Sequence, residues 1–216
     1  MTDGVRLKVC GITSQADAEF VAHAGADYLG FILIPESPRY LSLAKFGGFA
    51  ALLPKGRKVA VALEPTTTQL AEMNAAGFDF FQIHFRHDVP VSTVSSWAEA
   101  VGSDRLWLSP KLPPGVSVPA AVLHFAKTFH FDSYHVRKFG GTGETADWNK
   151  FSRHRRAHPK KTWILSGGLN PVNIDAAIRQ SGARFVDVNS GVESAPGVKD
   201  HGKLQRLVER LHERRA

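Results

Sequence analysis

Short apolar stretches alternate with helical patterns along the whole chain, and this alternation constrains the fold more than any other feature. The apolar stretches are rich in β-branched residues, which is typical of buried strands. Eight strands are predicted, at residues 7–10, 28–34, 58–63, 78–84, 106–109, 128–132, 162–166 and 184–189. Helical patterns follow them near residues 15–25, 42–53, 67–76, 91–101, 118–126, 148–157, 171–181 and 202–214.

Regular alternation of strands and helices indicates an α/β protein whose strands run parallel. Eight such units in 216 residues predict a compact (β/α)8 TIM barrel, with residues 1–216 forming a single domain. A doubly wound open sheet is the alternative fold, but it would not need eight units.

The predicted helices carry recognisable start and stop signals. Ser14 followed by Asp17 resembles a capping box, and Asn170 precedes a proline suited to the first position of a helix. Three helical patterns end in a glycine that precedes an apolar strand. We therefore expect a left-handed backbone after the helix at Gly25, Gly77 and Gly182.

Charge and composition narrow the class of protein. No apolar run approaches the roughly 20 residues of a membrane helix, and the first residues lack a secretory h-region, so we expect a cytoplasmic protein that does not contact a membrane. One cysteine cannot form an internal disulfide, which agrees with a reducing compartment.

The net charge of +7 fits either nucleic acid or an anionic small substrate. Basic residues concentrate at 152–161 and in a C-terminal segment whose leucines recur at helical spacing, which indicates an amphipathic helix with a solvated basic face. We find no aromatic RNA-binding motif and no zinc-ligand spacing. The sequence therefore predicts neither a nucleic-acid partner nor a metal site.

In a TIM barrel the active site lies at the carboxyl ends of the strands. Polar and glycine-rich sequence gathers at these positions: Cys10, residues 35–39, His84, Asp132, residues 166–169 and residues 189–193. The segments ILSGGLNP and VDVNSGVES follow the seventh and eighth strands, where this fold usually binds phosphate through backbone N–H groups and helix N-termini. Each segment alone is also compatible with a simple turn. Together they predict a phosphate site formed by Gly167, Gly168, Ser190 and Gly191.

Several motifs in order along the chain resemble the phosphoribosylanthranilate isomerases, TIM-barrel enzymes of tryptophan biosynthesis. They are KVCGIT, GADYLGFILIPESPRYLS, FDS followed by GGTGETADW, LSGGLNPVNI and VDVNSGVESAPGVKD, and the middle of the chain, about 55–125, matches weakly. The resemblance implies a cofactor-free Amadori rearrangement of N-(5-phosphoribosyl)anthranilate to 1-(2-carboxyphenylamino)-1-deoxyribulose 5-phosphate. A small phosphorylated substrate is then the expected partner.

The resemblance assigns an acid and a base to this reaction. Cys10 matches the general base, which requires a thiol pKa lowered from its ordinary value, and Asp132 matches the general acid, which requires a raised pKa. Taken alone, Cys10 would more often be a small buried residue, and Asp132 a loop carboxylate that accepts backbone N–H bonds.

The resemblance also implies binding residues. Arg39 matches the arginine that holds the anthranilate carboxylate, and Gln82 and His84 match substrate-binding residues after the fourth strand. Asp187 corresponds to an acidic residue near the aniline end, or equally to a structural partner of Arg39. A loop that covers the substrate in the family corresponds to Gly140, Gly141 and Gly143.

Four segments depart from the family pattern. Phe85 replaces an expected glycine, VALEPTTT and WLSPKLPPG follow the third and fifth strands, and the covering loop reads ETADW with Glu144 and Ala146. Two alternatives therefore stay open: a related phosphosugar enzyme with an altered substrate, which includes acceptance of a histidine-pathway aminoaldose, and a catalytically silent relative that acts as a binding partner. The sequence also leaves open a monomer or a homodimer.

Overall fold

The computed structural model describes residues 4–113, 115–132 and 146–213. Eight parallel strands close into a barrel in chain order, and pairing of the first strand with the eighth completes it. The TIM-barrel prediction is confirmed. The strands are β1 (Arg6–Val9), β2 (Tyr28–Ile32), β3 (Lys58–Leu63), β4 (Phe80–Arg86), β5 (Leu106–Lys111), β6 (Thr128–Phe131), β7 (Thr162–Leu165) and β8 (Phe185–Val188).

In the described ranges, α-helices follow seven of the eight strands. They are α1 (Gln15–His23), α2 (Leu43–Gly47), α3 (Thr67–Ala75), α4 (Val91–Val101), α5 (Trp148–Ala157), α6 (Ile174–Ser181) and α7 (His201–Glu213). A short hairpin of β9 (Glu193–Ala195) and β10 (Val198–Lys199) connects β8 to α7.

Three predicted helices are wrong in extent. The helix expected at 42–53 ends at Gly47 and is followed by a separate 3-10 turn at Ala50–Leu52. The helix expected at 118–126 is only a 3-10 turn at Ala120–Val122, which begins directly after Pro119 and is too short to repay helix nucleation. The helix expected at 171–181 begins at Ile174. Asn170 instead accepts hydrogen bonds from the backbone N–H groups of Val172 and Asn173, so the proline lies in a turn before the helix.

The capping box expected at Ser14 and Asp17 forms only in its Ser14 half, because the Asp17 carboxylate accepts from the backbone N–H of Lys199 and from His201. The Ser14 hydroxyl caps α1 by accepting from the backbone N–H of Asp17 at 3.2 Å. The three glycines expected after helices all have positive φ: Gly25, Gly77 and Gly182. None of the helices in the described ranges is long and apolar enough to cross a membrane.

The inside of the barrel is apolar at one end and polar at the other. Near the amino ends of the strands the ring of Tyr28 lies 5.0–5.4 Å from the rings of Phe80, Trp107 and Phe185. Because side chains alternate along a strand, the next inward positions of β4 and β8 are Gln82 and Asp187. Polar side chains inside the barrel thus lie toward the carboxyl ends of the strands.

Candidate active site

A cavity of about 510 Å³ opens at the carboxyl end of the barrel, a volume in the range of small-molecule sites. The structure brings together here all the predicted acid, base and substrate-binding residues. They are Cys10, Arg39, Gln82, His84, Asp132 and Asp187, and each lines the cavity.

Cys10 lies directly after β1 and is buried. Burial raises the pKa of its thiol, and the Asp187 carboxylate raises it further, while the ammonium of Lys8 opposes both. The expectation of a lowered pKa is therefore wrong for the free protein. A thiolate at this position needs additional positive charge.

Asp187 is the centre of a buried polar network. Its Oδ2 accepts hydrogen bonds from Lys8 Nζ at 2.7 Å and from His130 Nε2 at 2.9 Å. Burial alone would raise the pKa of Asp187, but the charge of Lys8 and the bond from His130 hold it below the usual range. Asp187 is thus an anion bound to Lys8 and His130, and the alternative interpretation of it as a partner of Arg39 is wrong.

The network continues across the barrel. His130 Nδ1 is 2.9 Å from the Ser109 hydroxyl, which is 3.2 Å from His84 Nδ1, and Gln82 Nε2 is 2.9 Å from His84 Nε2. Since the Gln82 amide donates to His84, the His84 Nδ1–H donates to Ser109, and the Ser109 hydroxyl donates to His130. Burial, together with the nearby His130 and Lys8, lowers the pKa of His84 to about 3, so this imidazole is neutral.

Sequence reasoning missed three members of this network, namely Lys8, Ser109 and His130. A usable signal was present in the strand period, because each lies on the inward face of its strand: Lys8 is two residues before Cys10, and His130 is two residues before Asp132. Nothing in the sequence alone indicates that these polar side chains meet.

The Arg39 guanidinium is fixed by a carboxylate that the sequence did not single out. Glu193 accepts from Arg39 Nε at 2.9 Å and from Nη2 at 2.7 Å, and it also accepts from Lys199 Nζ at 2.9 Å. Although burial would raise the pKa of Glu193, these two cations lower it. No hydrogen bond joins Arg39 Nη1 to another residue of the described ranges, so this end of the guanidinium can take a carboxylate.

The two glycine-rich loops lie next to each other, as a shared phosphate site requires. Gly167 and Gly168 have φ of 95° and 62°, and Ser190 and Gly191 begin a 3-10 turn after β8. A Cβ on Gly191 would collide with the carbonyl oxygen of Leu169. The loops after β7 and β8 therefore pack through a position that only glycine fits.

Asp132 is half-buried at the end of β6. The predicted covering-loop residues Gly140, Gly141 and Gly143, and the departure at Glu144, lie outside the described residues. Within the described ranges, no group of three or more histidine, cysteine, aspartate or glutamate side chains has the arrangement to hold a metal ion.

Val61 and Leu63 of the altered segment VALEPTTT line the cavity, but three other residues at the departures from the family pattern lie outside it. Phe85 points outward, where its ring packs 5.5 Å from the ring of Trp97 on α4. Glu64, inside the altered segment VALEPTTT, has a φ of 41°, and its carboxylate accepts from the backbone N–H of Arg86. Ala146 is buried against the helical layer. None of these three side chains lines the cavity.

A family model described as N-(5'-phosphoribosyl)anthranilate isomerase matches residues 7–210, including the weakly resembling middle of the chain. This chain belongs to that family. The isomerase of Neisseria gonorrhoeae is 33% identical over 207 residues, covering 94% of this chain and 95% of its own. The resemblance seen in the motifs is confirmed.

Solved isomerases share the same barrel. The structure from Thermus thermophilus has a TM-score of 0.80 at 29% identity and covers 96% of this chain and 98% of its own. Another isomerase, in complex with reduced 1-(o-carboxyphenylamino)-1-deoxyribulose 5-phosphate, has a TM-score of 0.74 at 29% identity, over 97% of this chain and 99% of its own. The relatives thus align with almost the whole of this isomerase-family chain.

Proposed function

We propose that this protein converts N-(5-phosphoribosyl)anthranilate to 1-(2-carboxyphenylamino)-1-deoxyribulose 5-phosphate, an aldose–ketose isomerisation in tryptophan biosynthesis. The observation that carries the proposal is the convergence of Cys10, Asp132 and Arg39 on one cavity at the barrel end that also carries both glycine loops. Membership of the isomerase family supports it, as does the related isomerase whose structure holds a reduced phosphorylated product analogue.

The substrate is anchored at both ends in this proposal. Its phosphate takes backbone N–H groups of the loops after β7 and β8, and its carboxylate takes the free end of the Arg39 guanidinium. The aniline end lies near Asp187, whose Oδ1 is buried and has no hydrogen-bond partner in the described ranges. Gln82 and His84 line the same cavity and contribute further polar contacts.

Asp132 and Cys10 then move the protons. Asp132 protonates the furanose ring oxygen, and the ring opens as the nitrogen lone pair forms a cationic Schiff base. The Cys10 thiolate removes the C2′ proton, and the C–H electrons flow toward the Schiff-base nitrogen to give an enolamine. Protonation at C1′ and loss of the hydroxyl proton at C2′ give the ketone. Acid and base side chains suffice for this sequence, so we propose no cofactor.

The proposal also covers the domain organisation, location and binding partner of the protein. We propose that the whole chain acts as one barrel domain in the cytoplasm, and that its partner is this small phosphorylated molecule. The alternatives are an altered phosphosugar substrate or a silent binding role. Retention of the acid, the base and the carboxylate-binding arginine in one cavity favours the isomerase over both.

The test is the loss of substrate fluorescence after phosphoribosylanthranilate is generated in situ. Turnover by the purified protein should fall about 100-fold or more in Cys10→Ala and in Asp132→Asn, as expected for removal of a general base or acid. Val172→Ala, whose side chain is 93% exposed, is the matched control and should keep full activity.

Two other outcomes of the fluorescence assay would contradict different parts of the proposal. Full activity in Cys10→Ala would keep the reaction but remove the cysteine as its base. No activity in the wild-type protein with intact substrate would reject the proposed reaction and leave the altered-substrate and silent-relative alternatives.

A further inference from the structure

Lys8 is a buried cation that the proposed mechanism does not use. Its side chain is 0% exposed, inside the barrel on β1 and two residues before Cys10, so both side chains point inward. An ammonium inside a protein is costly unless it is paired, and Lys8 donates to Asp187 at 2.7 Å. His130 donates to the same carboxylate oxygen and helps to fix it.

The neighbouring strand leaves a gap for this ammonium. A Cβ built on Gly30, in the middle of β2, would lie 2.9 Å from both Cε and Nζ of Lys8 and 3.0 Å from the Cα of Cys10. Glycine inside a strand weakens it and marks a close approach of other atoms. Here the atoms are those of Lys8 and Cys10, which pack together against Gly30.

The buried charges around Cys10 sum to a positive value, which opposes the effect of burial on the thiol without overcoming it. Three buried or nearly buried cations, Lys8, Arg39 and Lys199, are matched by two carboxylates, Asp187 and Glu193. With Asp132 protonated as the proposed acid, and before substrate binds, this cluster carries one unbalanced positive charge. A thiolate at Cys10 would neutralise it.

We propose that Lys8 is a positioning residue for the base: its ammonium, held by Asp187, stabilises the Cys10 thiolate and orients it for proton removal. This inference rests on the proposed function of Cys10. Lys8 touches no reacting atom of the substrate, and it acts through the sulfur alone. Asp187 thus serves the site twice, through Oδ2 toward Lys8 and through its free Oδ1 toward the ligand.

The electrostatic environment of the thiol supports the proposal. Burial raises the pKa of Cys10, and the charge of Lys8 is the strongest influence in the opposite direction. From the other elements, Asp187 on β8 raises the pKa and Lys199 on β10 lowers it more weakly than Lys8. Loss of Lys8 would therefore remove the main influence that lowers the pKa of Cys10, and burial and Asp187 would raise it further.

Because Cys10 is the only cysteine in the chain, its ionisation can be followed directly by alkylation with iodoacetamide. Only the thiolate reacts, so the rate at fixed pH reports the thiolate fraction. Lys8→Met should lower the alkylation rate at pH 8 about tenfold or more, since each unit of pKa is a factor of ten. It should lower kcat in the isomerase assay while KM changes little.

Two further variants make the test specific. Lys58→Met replaces a lysine of β3 whose inward neighbours are Val59 and Val61, and it should leave alkylation unchanged. Gly30→Ala keeps every charge but displaces the ammonium, so it should lower the rate by a smaller factor. If circular dichroism shows that Lys8→Met does not fold, the alkylation rate of Gly30→Ala tests the proposal instead.

An alkylation rate that stays at the wild-type value in the folded variants would overturn the proposal. Alkylation needs neither substrate nor turnover, so this failure is separate from failure of the proposed function. A fully active Cys10→Ala protein would reject the cysteine as base whatever the alkylation data show.

Discussion

At the scale of single residues, the guanidinium of Arg39 is oriented before any ligand arrives. Glu193 accepts from both Nε and Nη2, and Lys199 bonds the same carboxylate from the hairpin. Gly11 makes this possible, because a Cβ there would lie 2.8 Å from the Arg39 Cδ. A pre-oriented guanidinium loses little entropy on binding a carboxylate.

We therefore expect Glu193→Gln to weaken substrate binding. The amide lacks the charge that fixes Arg39, and a hydrogen bond between charged groups contributes about 1.5–3 kcal/mol, so KM should rise about tenfold or more with kcat nearly unchanged. Steady-state kinetics of the isomerase reaction measure this. Ser194→Ala, at the exposed next position, is the control. An unchanged KM would mean that Arg39 does not depend on Glu193.

At the scale of elements, the position of a residue relative to a strand determined whether it could be predicted as a site residue from the sequence. All eight strands were predicted, and Cys10 and Asp132 stood out because they directly follow strands. Lys8 and His130 lie inside strands, where a polar residue in an apolar run does not reveal its partner on another strand. The 118–126 helix failed for a different reason, because a single turn after Pro119 has no room for helix propagation.

The contact between the loops after β7 and β8, which we propose to bind phosphate, can be tested by adding one methyl group. Gly191→Ala would press a Cβ onto the carbonyl of Leu169 and separate the loops after β7 and β8. We expect KM to rise about tenfold or more, because backbone N–H donors then no longer converge on one phosphate. Gly47→Ala on α2, where a Cβ meets nothing within 4 Å, is the matched control.

Kinetics with inorganic phosphate as a competitive inhibitor separate this effect from general damage. The inhibition constant of phosphate should rise together with KM in Gly191→Ala and stay constant in Gly47→Ala. If Gly191→Ala folds and binds phosphate normally, the loops do not form the phosphate site.

At the scale of the whole molecule, the barrel places a hydrogen-bonded polar layer above an aromatic one. Parallel strands with fixed register bring Gln82, Ser109, His130 and Asp187 from four strands to one level, although up to 105 residues separate them. The sequence predicted the closed barrel from its repeating units. It could not predict this layer, because the layer exists only once the barrel has closed.

The buried neutral His84 makes the stability of the whole barrel depend on pH. Its pKa is about 3 in the folded protein against an ordinary value of 6.5, so below pH 6.5 the unfolded chain binds a proton that the folded protein does not. Stability must then fall as the pH falls from 6.5 toward 3. From pH 7.5 to pH 5 this one group costs about 2 kcal/mol of unfolding free energy.

Urea unfolding at pH 7.5, 6 and 5 measures this dependence. The carboxylates Asp187 and Glu193 have lowered pKa values, so their stabilisation is lost only in more acidic solution, as the pH falls below their ordinary values of 3.8 and 4.5. His84→Gln keeps an amide for hydrogen bonding but cannot titrate, and it should flatten the curve by about 2 kcal/mol between pH 7.5 and pH 5. The exposed His23→Gln should retain the wild-type curve. Equal slopes in wild type and His84→Gln would mean that His84 binds its proton over the same pH range in the folded barrel as in the unfolded chain. A protonated His84 donates from both ring nitrogens, so the Gln82 amide would then have to accept through its oxygen instead of donating.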